Sequence, residues 1–94
     1  MSLRFIWNRN KAATNIRDHR VSFDEAASVF DDILALIFTD EEHSEDEFRE
    51  LIIGYSNQNR PPFVCFTERD GSIRLISARL AKGKELDLYE TTRR

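Results

Sequence analysis

The chain opens on a short apolar segment, Leu3-Arg-Phe-Ile-Trp7, which reads as a strand. From Asn8 the period lengthens. Ala12, Ala13, Ile16 and His19 recur at helical spacing, with Lys11, Asn15 and Asp18 beside that face. Asn8 or Asn10 is placed to cap this helix, because a short polar side chain accepts from the free amides of a first turn. Arg20 and Val21 leave room only for a tight corner. Ser22-Phe-Asp-Glu25 then forms a capping-box pattern, in which Ser22 accepts from the Glu25 amide and Glu25 reaches back to the Ser22 amide. Phe23, Ala26, Ala27 and Phe30 give that second helix its apolar face, and Asp31-Asp32 ends it. Ile33 to Phe38 is a compact apolar run bounded by acids, read as a strand. Thr39 to Asp46 is an acidic loop, Glu47 to Ser56 a further strand, and Asn57 to Arg60 a turn. Pro61-Pro62 belong at the start of the next strand, since neither donates to a ladder.

Asp70-Gly71 then joins two β-type segments, Phe63 to Arg69 and Ser72 to Arg79, a strong hairpin signal. Ala81 to Thr91 reads as a terminal helix. The order is β-α-α-β-β-β-β-α, an α+β domain with two N-terminal helices packed on an antiparallel sheet.

Ninety-four residues bound this to one small domain over 1–94, able to bury roughly two-thirds of its unfolded surface. The net charge of −3 conceals three blocks: residues 1–20 carry +4, residues 21–50 carry −10, and residues 60–84 carry +4. An acidic total therefore does not exclude a nucleic-acid partner, because a local basic face still binds phosphate. No apolar run spans a bilayer, and Arg4, Arg9 and Lys11 interrupt any signal-peptide pattern, so a cytoplasmic protein without membrane contact is expected. One cysteine, Cys65, excludes an internal disulfide and any multi-cysteine metal site. Cys65 and Trp7 read as core. His43 sits among Glu41, Glu42, Glu45 and Asp46, a metal-like composition without a second His, which reads as a solvated acidic loop. No metal or cofactor is expected.

A two-residue turn at Asp70-Gly71 sets Arg69 opposite Ser72 and, counting back, Pro62 opposite Arg79. Arg60 then comes close to Arg79 and Lys82, while Arg69 lies roughly 23 Å away at the other end of the hairpin. Val64, Phe66, Glu68, Ile73, Leu75, Ser77 and Arg79 form the more apolar face, so this register has Arg79 emerging from the rim of the core. An oriented guanidinium there can hold a phosphate with two parallel hydrogen bonds.

At these residues the chain resembles the BrnT family, toxins of bacterial type II toxin–antitoxin systems. The matching pieces are Phe5-Ile-Trp-Asn8 with Lys11 and Asn15, Asp18-His19, Val21-Ser-Phe-Asp-Glu-Ala26, Val29-Phe-Asp31, His43, Glu47 with Arg49, Ile53-Gly54, Phe66-Thr-Glu-Arg69, and Ile76-Ser-Ala-Arg79 with Ala81. They run in order through nearly the whole chain. Two departures stand out. The family usually has Asp where this chain has Asn8, and Lys-His-Gly where it has Asp18-His19-Arg20. Arg20 in place of Gly reads as a corner that does not need positive φ.

The resemblance implies a RelE-like fold, metal-independent endoribonuclease activity that arrests translation, and a BrnA-type antitoxin. The expected complex is a heterotetramer around an antitoxin dimer, with DNA contacted only through the antitoxin. Attack by an RNA 2′-hydroxyl on the adjacent phosphorus calls for deprotonation, charge stabilisation and protonation of the leaving oxygen. Arg79 is the first choice for the transition-state phosphate, Arg60 and Lys82 follow, and Tyr89 is placed to stack on a base or assist proton transfer. Lys11, His19 and Arg69 are the expected RNA contacts. The bland alternatives are an ion pair of Arg79 with Glu47 or Glu50, a solvated Arg60 and Lys82, a core Tyr89 and a half-buried His19. The alternative function is a non-enzymatic or degenerate toxin-fold module, acting through protein binding by the acidic segment 40–50.

Overall fold

The computed structural model describes residues 3–43 and 47–93. Strand β1 (Phe5–Ile6) leads into helix α1 (Arg9–His19), α2 (Phe23–Ser28) and a 3₁₀ turn at Val29–Asp31. Strands β2 (Leu36–Thr39), β3 (Glu50–Ile53), β4 (Pro62–Arg69) and β5 (Ser72–Leu80) follow, and helix α3 (Gly83–Arg93) ends the chain. The sheet order is β1-β5-β4-β3-β2. β2 to β5 are antiparallel neighbours, whereas β1 runs parallel to β5, so the sheet is mixed. β1 joins β5 parallel because α1 and α2 intervene between it and the remaining strands.

The N-terminal signals act as expected at short range. Asn8 caps α1 by accepting from the Lys11 amide at 3.0 Å. Ser22 caps α2 by accepting from the Glu25 amide at 3.0 Å. The reciprocal half of the capping box is absent, because the Glu25 carboxylate turns instead to Ser56 and Arg60. The corner between the helices does adopt the left-handed conformation, at Arg20 with φ 58°, contrary to the ordinary φ expected of a non-glycine residue. Its amide bonds to the Ile16 carbonyl at 2.8 Å and closes the helix.

The inward face of α1 differs from the one its apolar residues mark. Ala13, Ile16 and His19 face solvent, and Ala12 and Asn15 turn to the sheet. Asn15 donates to the carbonyls of Val21 (2.9 Å) and Ala78 (2.7 Å) and accepts from the Ala78 amide (3.0 Å). The amide thus bonds with β5 as another strand would, and satisfies otherwise orphaned backbone groups. β2 begins at Leu36 rather than Ile33, because Asp32 draws residues 32–35 into a turn: its side chain accepts the Leu34 amide and its carbonyl the Ala35 amide. Ile33 is left 96 % exposed. Trp7 is 37 % exposed and packs edge-on against Phe23, so it borders the core rather than filling it.

The hairpin turn is as expected, with positive φ at both Asp70 and Gly71 and Arg69 opposite Ser72. The register then slips. Phe66 pairs with Leu75 but Cys65 with Ser77, which leaves Ile76 as an extra residue in β5. Arg79 is therefore opposite Phe63, not Pro62, and Ala78 takes the helix-facing position expected of Ser77 and Arg79. Two apolar clusters result. Val21, Phe23, Ala26, Val29, Ile52, Val64, Phe66, Leu75 and Ala78 pack between the sheet and α1–α2. Ile53, Ala81 and Tyr89, with Leu36, Phe38, Phe63 and Leu86, pack between the other sheet face and α3.

Candidate phosphate-binding cleft

Because of the bulge at Ile76, Arg79 stands on the α3 side of the sheet. A cleft of roughly 340 Å³ opens there, lined by Asp40, Glu42, Arg49, Leu51, Phe63, Cys65, Ile76, Ser77 and Arg79. The strand pattern explains this set: Leu51, Cys65 and Ser77 are cross-strand neighbours, and so are Phe63 and Arg79. The Arg79 guanidinium lies 5.0 Å from the centre of the Phe63 ring. Both of its terminal nitrogens donate to Glu85, at 2.6 and 3.0 Å, and one also reaches the Leu80 carbonyl at 3.2 Å. Glu85 also accepts from the Lys82 amide at 3.1 Å. Burial raises the Glu85 pKa, but the Arg79 fork and the Lys82 amide outweigh it and hold the carboxyl below its ordinary value. The chelated carboxylate marks where the fork holds an anion. Cys65 donates weakly to Asp40 at 3.8 Å, and burial, with Asp40 beside it, pushes the thiol up to about 11, so it stays protonated at neutral pH.

The structure does not assemble the expected four-residue centre. Arg79 and Lys82 are close through Glu85, but Arg60 lies with the helices on the other face. It donates to both Glu25 oxygens and, at 2.9 Å, to the Arg20 carbonyl. Tyr89 is 0 % exposed, and its hydroxyl donates to Asp32 and accepts from Arg93. Burial and the Asp32 carboxylate raise its pKa. A phenol so enclosed cannot stack on a base. Lys11 and His19 are exposed on α1, away from the cleft. Arg69, at the hairpin tip, pairs with Glu47 at 3.1 Å. Glu47 also takes Arg49 and Arg74, so its cation partners are Arg49, Arg69 and Arg74 and not Arg79, which pairs with Glu85.

Sequence reasoning missed Asp40, Glu42, Arg49 and Ser77 as neighbours of Arg79. Period-two alternation from the Leu51–Cys65 pair would have found Arg49, the one cation in an acidic block. The expectation for the loop around His43 falls largely on residues 44–46 and on the His43 side chain, outside the described residues. Among the described residues no three His, Cys, Asp or Glu side chains form a metal-sized group.

A mixed five-stranded sheet flanked by helices on both faces, with an aromatic-backed arginine that holds a carboxylate beside a cleft, defines a small α+β protein with an anion-binding fork. The comparisons with known proteins narrow the class. Residues 7–85 match the family described as the ribonuclease toxin, BrnT, of type II toxin-antitoxin systems, and the chain belongs to that family. Among solved structures it is similar to the crystal structure of the Brucella abortus ribonuclease toxin BrnT. That similarity is 25 % identity with a TM-score of 0.67, over 87 % of this chain and 100 % of that one. No curated protein matches the chain.

Proposed function

We propose that the protein, as one toxin domain over residues 1–94, is the toxic half of a type II toxin–antitoxin pair and an endoribonuclease that arrests translation. Membership of a ribonuclease toxin family across residues 7–85 carries this reading, and the cleft supplies its chemistry. An RNA phosphate displaces Glu85 from the Arg79 fork, which keeps both of its parallel hydrogen bonds. The 2′-hydroxyl oxygen then bonds to phosphorus as its proton passes to a carboxylate in the cleft, Asp40 or Glu42. The bond from phosphorus to the 5′-oxygen breaks, that oxygen takes a proton from solvent water, and the products are a 2′,3′-cyclic phosphate and a 5′-hydroxyl. Arg79, backed by Phe63, stabilises the charge added on phosphorus, and Lys82, whose charge already bears on Glu85, adds a second cation. This sequence balances without a metal ion. Lys11, His19 and Arg69 lie away from the cleft and are assigned only to flanking phosphates; Arg60 and Tyr89 are assigned to the scaffold.

The partner in this reading is a BrnA-type antitoxin that forms a heterotetramer around its own dimer and alone contacts DNA. An RNA substrate places both in the cytoplasm. The test is cleavage of end-labelled RNA in EDTA. The wild-type chain is expected to yield cyclic-phosphate ends, and a folded Arg79→Ala variant is expected to lose at least a hundredfold in rate. Equal cleavage by that variant sinks the assignment of Arg79. RNA or protein binding without cleavage by the wild type instead makes the chain a non-enzymatic module.

A further inference from the structure

β2 is the outermost strand of the sheet, and only β3 pairs with it. The Asp40 amide bonds to the Arg49 carbonyl at 2.9 Å, which fixes the parity of the ladder. Leu36, Phe38 and Asp40 turn their backbone groups toward β3, so the amides and carbonyls of Ile37 and Thr39 point outward. Among the described residues no strand meets them. Large apolar side chains stand beside this edge: Ile37 is 56 % exposed, and Ile33, in the turn that enters β2, is 96 % exposed. Acids bracket it, with Asp31 before the strand and Glu41 and Glu42 after it.

We propose that the outer edge of β2 is a docking site for an extended segment of a partner chain that alternates Lys or Arg with apolar residues and adds as a sixth strand. Backbone groups of Ile37 and Thr39 supply the ladder, Ile33 and Ile37 take the apolar side chains, and the flanking carboxylates take the cations. Charge decides against the obvious competitor, a second copy of this chain. Two β2 edges paired antiparallel bring Glu41 and Glu42 of each copy toward Asp31 of the other, so like charges meet at both ends. The acids therefore guard the edge against self-association and leave it open to a basic strand. Naming the antitoxin as the source of that segment rests on the function proposed above. The docking chemistry does not, and the experiment reads it without RNA.

The full chain, labelled with nitrogen-15, is titrated with the blocked peptide Lys-Val-Lys-Val-Lys-Val-Lys and, separately, with its Glu counterpart. The lysine peptide is expected to slow hydrogen exchange at the Ile37 and Thr39 amides at least tenfold, and the Glu peptide to leave them unchanged. Thr39→Pro removes an outward amide without breaking the β2–β3 ladder and is expected to abolish the protection. Ile37→Lys, which sets a cation on the edge, is a second variant expected to do the same. Equal protection by both peptides overturns the proposal, as does an effect of the lysine peptide that persists in Ile37→Lys. Concentration-dependent protection of Ile37 and Thr39 without peptide also overturns it, in favour of a paired dimer.

Discussion

Glu25 is a carboxylate enclosed by α2 and the sheet, and it remains charged because Arg60 reaches back 35 residues to it. The Arg60 guanidinium, against the cost of burial and with help from the Ser56 hydroxyl, holds the Glu25 carboxyl below its ordinary value near 4.5. The folded state thus binds this proton less readily than the unfolded chain. Its contribution to stability is full above about pH 4.5 and is lost as the pH falls through the lower folded value. Glu25→Gln keeps the shape but leaves the guanidinium without its anion. The expected loss is about 2 kcal/mol at pH 7, the low side for a buried pair because Arg60 still reaches solvent. The variant's stability should also fall less steeply below pH 4.5, and urea denaturation across that range reads both effects. Removing Arg60 strips the same pair, so lost activity in an Arg60 variant reports on the fold before it reports on chemistry.

At the scale of elements, the α1–α2 corner and the β4–β5 hairpin are both short-range devices, and they fared differently. Asp70-Gly71 suits its turn because Gly71 occupies φ 80° with open space around it. Arg20 occupies φ 58° with a side chain that disfavours it, held there by the Ile16 carbonyl behind and the Arg60 guanidinium on its own carbonyl. Both bonds use only backbone atoms of Arg20. Arg20→Gly should therefore keep them and relieve the strain, offset in part by the freer unfolded chain. The expected gain is about 0.5 kcal/mol, read as a higher melting temperature with unchanged far-ultraviolet dichroism. The bulge at Ile76 is the element that matters most for the site. One extra residue moves Arg79 from the α1–α2 face of the sheet to the α3 face, where it meets Phe63 and the cleft.

Over the whole molecule, α3 is fastened by a polar bolt through an apolar cluster. The Tyr89 hydroxyl donates to Asp32, which also accepts the Tyr55 amide, and Arg93 lies over both the Tyr55 and Tyr89 rings. Gly54 permits this, since a Cβ there would sit 3.0 Å from an Asp32 carboxylate oxygen. Burial favours protonation of Asp32, yet the Tyr89 hydroxyl and the two amides outweigh it and hold its pKa down. Tyr89→Phe should cost about 1.5 kcal/mol, as expected for a hydrogen bond to a charged acceptor, and leave RNA cleavage by the folded fraction intact. A folded Tyr89→Phe chain that has lost cleavage would return the phenol to the chemistry. Because α3 also carries Glu85, this bolt sets how the carboxylate meets Arg79.

The sequence by itself determined the order of elements and the family pattern, and it determined what lies within a turn of the chain: the caps at Asn8 and Ser22 and the turn at Asp70-Gly71. The caps and the turn depend on side chains and backbone a few residues apart, where covalent geometry leaves few alternatives. Only the tertiary structure decided which face Arg79 occupies, that Asn15 and not Ile16 seats α1, that Arg60 belongs to Glu25, and that Tyr89 is enclosed. Those outcomes depend on groups brought together by the sheet, and a single unpaired residue in β5 is enough to invert the face that alternation assigns.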